Sequence, residues 1–424
     1  MNETIKKTRK DRVWVVVLCC FLMVFCGIGF CSNPKSLFLD PITEAYGLEK
    51  SVFTVNDTFR YGATAIVSLF FVKLLNKLGT KKMILVGFGL LIASQSLYAL
   101  SSNILLFYLA GALLGSGLAL MGSSTVSYVI HRRCPKNAGT VQGFVLSANG
   151  LAGALATQIL SPLIEKGTYG YKNAYWAVVG ILAVSALLVA ILFKEDTSSP
   201  HTASEKKKKA RGQGWVGIAF EEGKKKPYFY AASVLVFLTG IVISGVNGTA
   251  VSHMKSVGID PGFVREVIWA GHSLALIVCK FICGFSYDRK GLRFTLLLCQ
   301  GAAVVALTGL ALAANSPFGI AMAWVYSVPS TLAVALETVG VALITGDLYG
   351  NRDYAKFLGI NTAINAAGMA LGIPLLGLAK DLLGSYTPAI IAGAVIMAIA
   401  LIAFQFVISA AHKVRDTVVA AEAE

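Results

Sequence analysis

About twelve stretches of this chain are apolar for long enough to cross a lipid bilayer, and nothing else in the sequence constrains its fold as hard. They fall near 13–37, 52–75, 82–100, 104–130, 138–164, 174–193, 229–251, 263–287, 293–313, 317–345, 356–379 and 386–410. A hydrocarbon core of roughly 30 Å is crossed by about 20 helical residues. A helix is also the only non-barrel backbone that satisfies its own polar groups in lipid. Just 14% of the residues are charged and 56% are hydrophobic, where soluble domains run at about 25% charged. The expected fold class is an all-α membrane protein with twelve transmembrane helices.

The net charge of +15 sorts onto alternate loops. With the N-terminus inside, 28 of the 37 Lys and Arg fall on inner segments, so the positive-inside rule places both termini in the cytoplasm of a cell-membrane protein. A sequence pI near 9.4 also suits nucleic-acid binding. That partner is discounted because the charges sit in loops between lipid spans, where anionic lipid is the simpler contact. The N-terminus resembles a signal peptide, but its apolar run is too long and lacks a small-residue cleavage site. It is expected to stay on as the first helix. The eight Cys lie mostly within spans and read as small apolar residues. No metal set, cofactor fingerprint or ATP-binding motif occurs, and no nucleophile–base arrangement suggests an enzyme.

One long hydrophilic stretch, 194–227, separates six spans from six. Its Lys, Ser and Gly content predicts a mobile linker with a short surface helix at 214–222. The expected organisation is a six-helix bundle over 1–193, the linker, and a second bundle over 228–424. The halves repeat weakly. Asn76-Lys-Leu-Gly79 recurs as Asp288-Arg-Lys-Gly291, and Gly143 with Asn149 recurs as Gly359 with Asn365, at offsets of 212 and 216. Parallel repeats of this kind put a binding site at their interface and rock one half against the other.

The segment Gly284-Phe-Ser-Tyr-Asp288-Arg289-Lys-Gly291-Leu-Arg293 matches the loop motif of the major facilitator superfamily in full. The chain is identified as resembling that family, whose motif is a conformational latch rather than a substrate site. The first-half copy departs from it, with Val72 for Gly and Asn76 for Asp. Within the superfamily the chain is similar to the monocarboxylate transporter and oxalate:formate antiporter branch. Gly29-Phe-Cys-Ser-Asn-Pro34-Lys35-Ser36, the His131 to Gly143 segment and the Gly346 to Ala355 loop carry that likeness. Two departures matter. The branch's Asp-x-x-x-Arg on the eighth helix stands here as Leu276 and Lys280, and its eleventh-helix Lys aligns with Asn361, so the second cation suited to oxalate is missing.

The resemblance implies carboxylate binding by Lys35 and by Lys280 at the branch's Arg position, and Asn149, Asn361 and Asn365 on spans five and eleven and Tyr326 are the other substrate-binding candidates. Charges at membrane depth are costly and usually functional. For Lys35, near the outer end of its helix, and for Lys280 the competing reading is snorkelling to the headgroups. Glu337, with no charge for nine residues on either side, is a candidate proton carrier or a structural partner of Lys280 or of a neighbouring helix. Lys35 and His272 are the other proton-coupling candidates. Asp57 and Arg60 share a helix face at i, i+3 and neutralise each other or gate. The asparagines also serve as interhelical glue, and the GxxxG pairs Gly111/Gly115 and Gly368/Gly372 as close-packing devices.

The leading expectation is a secondary transporter of small organic anions, monocarboxylates above all, working by alternating access with proton coupling. Carboxylate exchange and amphiphile efflux are the alternatives within transport. A carboxylate receptor signalling through the linker is the alternative outside it.

Overall fold

The computed structural model describes residues 2–194 and 217–423. Residues 195–216 of the predicted linker, Lys206 to Lys209 included, lie outside the described residues. Every regular element among those residues is helical.

Ten helices are long and apolar enough to cross a membrane. Two corrections bring that number to twelve. Pro261–Ala311 is 51 residues long, about 76 Å at 1.5 Å per residue and so two crossings rather than one. It breaks at Gly291, whose φ of 76° lies outside the helical region. The helix Lys50–Leu69 fails the apolarity criterion because it carries Asp57 and Arg60 in its middle. It nevertheless packs along its length on two neighbours.

The crossings are α1 (Asn2–Met23, a π-helical turn Val24–Phe30, then Lys35–Tyr46), α2 (Lys50–Leu69, continued over 71–78), α3 (80–100, after the break at Gly79), α4 (Ile104–Met121 and Ser123–Arg133), α5 (Ala138–Ile164) and α6 (Gly170–Leu192). They continue as α7 (Pro227–Ser256), α8 (261–290), α9 (292–311), α10 (317–349), α11 (Tyr354–Leu383) and α12 (Thr387–Ala423). The first apolar run is thus not one helix to residue 37. Pro34 has no N–H to continue the ladder, so the chain turns at 32–34 and starts a new helical segment at Lys35. Of the predicted helix at 214–222, the described part is a single turn, Phe220–Gly223.

Small residues set the tightest approaches. A methyl group on Gly111 would lie 2.5 Å from Asn56 Oδ1, and one on Gly115 would lie 1.9 Å from the Arg60 carbonyl. The GxxxG of α4 therefore seats the polar face of α2. The GxxxG of α11 does the same for α7, through Gly368 on the Phe237 carbonyl and Gly372 on the Ile241 carbonyl.

Between the first six helices and the last six, contact runs through two seams, α5 on α8 and α2 on α11. Both are fastened at the end that carries the basic loops. There His131 of α4 bonds Asn351 and stacks on Tyr354 at 4.0 Å, and Ser124 bonds Thr362 at 2.9 Å. Gln142 donates to the Val339 carbonyl at 3.2 Å.

Candidate functional site

The charges of the first half meet where α1 restarts. Lys35, the first residue after the Pro34 break, places its Nζ 2.5 Å from Asp57 Oδ1 and 3.4 Å from Asn56 Oδ1. Arg60 Nη1 reaches the same Asp57 oxygen at 3.5 Å. Its other arm donates to the Tyr61 hydroxyl at 3.0 Å, with the guanidinium 4.4 Å from the Tyr61 ring centre. Lys35 is therefore tied inward to α2 rather than extended toward headgroups. Asn56 is fully buried, held by a bond from the Tyr98 hydroxyl at 2.7 Å and by its own donation to the Phe107 carbonyl at 2.6 Å. Two cations share one carboxylate, which leaves the cluster formally positive.

The second half carries a complementary group. Glu337 sits on a π-helical turn, Leu336–Gly340, inside α10, a distortion that recurs at functional sites. Asn365 of α11 donates to its carboxylate and also reaches the Val236 carbonyl at 3.4 Å. The Thr239 hydroxyl of α7 donates to the same carbonyl at 3.1 Å. Glu337 is thus held by a neutral amide of a neighbouring helix, and not by Lys280.

Lys280 is 1% exposed, and no described residue is its hydrogen-bond or ion-pair partner. Its backbone lies against Gly143, where a methyl group would come within 2.6 Å of the Lys280 carbonyl. An ammonium at membrane depth without an acid is expensive, and an anion that arrives beside it removes that cost.

The other predicted residues separate into structural groups. His272 donates from Nδ1 to the Ser327 carbonyl (2.9 Å), lies 3.3 Å from Ser330 and stacks on Trp269 at 4.5 Å. Tyr326 is stacked beyond it at 6.5 Å, so both residues pin α8 to α10. Asn361 donates to Thr345 at 2.9 Å, while its buried Oδ1 has no partner among the described residues. The Asn149 carbonyl accepts from Asn33 at 2.8 Å and its buried Oδ1 is likewise unpartnered. Each of those two amides keeps an acceptor in reserve.

The latch residues come together. Asp288 accepts the backbone N–H groups of Gly139 (3.1 Å) and Thr140 (2.6 Å). These are orphan donors at the start of α5, where Asn137 provides no side-chain cap. Gly284 permits the approach, since a methyl group there would lie 1.9 Å from the Gly139 carbonyl. Arg289 stacks on Phe285 at 5.0 Å, and Arg293 donates to Ser409 of α12 at 3.0 Å. Sequence reasoning overlooked Asn56, Tyr98 and Thr239. Only Asn56, adjacent to Asp57 and matching the glycosylation sequon, gave any signal, and its complete burial excludes that use of it.

Comparison with known proteins agrees with this architecture. The Major Facilitator Superfamily profile matches residues 13–372. Monocarboxylate transporter 13 of Rattus norvegicus is 24% identical over 76% of this chain and 72% of its own. Multidrug resistance protein 2 of Bacillus subtilis is 21% identical over 90% of this chain and 92% of its own. FucP of Escherichia coli, solved in the outward conformation, superposes with a TM-score of 0.68 at 15% identity, covering 93% of this chain and 98% of that one. The profile spans most of the chain, the twelve helices are those of a multi-pass membrane transporter, and the chain belongs to the major facilitator superfamily.

Proposed function

We propose that this transporter carries small organic anions, monocarboxylates in particular, by alternating access with a coupled proton. The observation that carries the reading is a charge imbalance at membrane depth. The buried or part-buried ions Lys35, Arg60, Lys280, Asp57 and Glu337 sum to a formal excess of one positive charge. One monocarboxylate neutralises it, whereas a dicarboxylate overshoots. A cationic amphiphile, within the efflux alternative that the sequence leaves open, meets repulsion. Glu337, held by Asn365 in the second half, is the proton carrier in this scheme.

Residues 1–193 and 228–424 form the two moving halves, with 194–227 as their tether and the basic loops on the cytoplasmic side. The described state, fastened at the basic-loop end, is then the outward-facing one. Uptake of labelled lactate, formate and pyruvate into proteoliposomes under an inward proton gradient tests the reading. Lys280→Ala is expected to lower uptake of the transported anion at least tenfold, with Lys35→Ala close behind. Unchanged uptake in both variants overturns it.

A further inference from the structure

Asp57 occupies the position a substrate carboxylate would be expected to take. Its Oδ1 lies between the Lys35 ammonium at 2.5 Å and the Arg60 guanidinium at 3.5 Å, which is the environment any bound carboxylate needs. The other side of Lys35 is a fixed amide. Asn56 is locked by Tyr98 and Phe107 and offers only a 3.4 Å contact. Lys35 stands directly after the turn at 32–34, so a small change at that break swings the ammonium away from α2. Arg60 keeps a spare hold through Tyr61. The three charged side chains remain only partly buried, at 20%, 20% and 11% exposure for Lys35, Asp57 and Arg60. A small anion therefore has access to the pair.

We infer that Asp57 is a resident counter-ion which holds Lys35 while the carrier is empty and yields it to the substrate carboxylate. The inference rests on the carboxylate reading above. Its logic is the return step. Net transport requires the carrier to reorient empty, and reorienting with a bare ammonium in the span is costly. Asp57 neutralises Lys35 for that step. Exchange never passes through the empty carrier and does not need it. Substrate and Asp57 also compete for one cation, so removing the competitor tightens binding.

Asp57→Asn separates these consequences. Carboxylate-induced thermal stabilisation of the purified variant is expected at a tenfold lower ligand concentration than in the wild type. In proteoliposomes, net uptake is expected to fall tenfold or more while exchange against unlabelled substrate persists. Asp57→Glu keeps the counter-ion, and net uptake is expected to stay within threefold of wild type. Weaker carboxylate binding in Asp57→Asn, equal loss of net uptake and exchange at an unchanged melting temperature, or loss of net uptake in Asp57→Glu each overturns the inference. A wild type that no carboxylate stabilises or enters overturns the carboxylate reading itself, and is recognised without any variant.

Discussion

The loops that follow the second helix of each half have one backbone and two chemistries. Gly79 sits at φ 74°, ψ 168°, and Gly291, 212 residues later, at φ 76°, ψ 178°. Each interrupts an otherwise continuous helix at the same kind of corner. Around Gly291 the motif residues are engaged, with Gly284 against Gly139 and Asp288 capping α5. Around Gly79 the matching positions are Val72 and an exposed Asn76. What the repeat conserves is the turn that reverses the chain between spans. What it does not conserve is the fastening. Of the two seams between the first and last six helices, only α5–α8 is closed by a carboxylate on a helix N-terminus. At α2–α11 the nearest equivalent is Gly359 lying against the Ser68 carbonyl, where a methyl group would approach to 2.9 Å.

The largest break in this comparison comes from adding bulk where the second copy needs none. Gly284→Val forces a side chain into a space where even a methyl carbon lies 1.9 Å from the Gly139 carbonyl, and overpacking of that kind costs about 3 kcal/mol. A clear fall in melting temperature in detergent is expected. The reciprocal change Val72→Gly, on a loop with no such contact, is expected to cost about 1 kcal/mol. Equal effects would show that the first copy also packs through this position.

The two corner glycines should behave alike where the two latches do not. Their φ/ψ values lie in a region essentially restricted to glycine, so Gly291→Ala and Gly79→Ala should each destabilise by about 1–2 kcal/mol. Thermal melts of the two variants, run side by side, test this. A penalty confined to Gly291→Ala would mean that the shared backbone is an accident of the first half.

How much of this could be read in advance differs by level. The twelve spans were legible because each leaves an apolar run that lipid demands, and even α2 was found despite Asp57 and Arg60. The latch motif was legible as a string, but which helix Asp288 caps was not, since Gly139 lies 149 residues away and the missing Asn137 cap is visible only in three dimensions. The site was legible as a list of buried charges and not as pairs. For Glu337 the sequence left proton carriage, a pairing with Lys280 and a pairing with a neighbouring helix open, and only the packing brings Asn365 of α11 to it. The pairing of Lys35 with Asp57 depends on the bend at Pro34, which turns a residue expected near the outer end of a helix back onto α2. The π-helical turns left no sequence signal, because they arise from how a helix is accommodated by its neighbours.

The smallest effect decides whether the asymmetry matters to the working cycle. Asp288→Ala removes two charge-assisted bonds from the start of α5, a loss comparable to that of a helix cap, about 1 kcal/mol. At equilibrium that is roughly a fivefold shift in the ratio of closed to open seam, since 1.4 kcal/mol corresponds to a factor of ten. Spin labels on the basic-loop ends of α5 and α8 should report a larger open fraction, with the melting temperature barely moved. Asn76→Asp restores the missing acid of the first copy but leaves Val72 in place of its glycine. Its distance distribution should therefore match wild type. If Asn76→Asp instead tightens α2 against α11, the first-half loop lacks only a charge, and the two seams are closer to equivalent than their chemistry suggests.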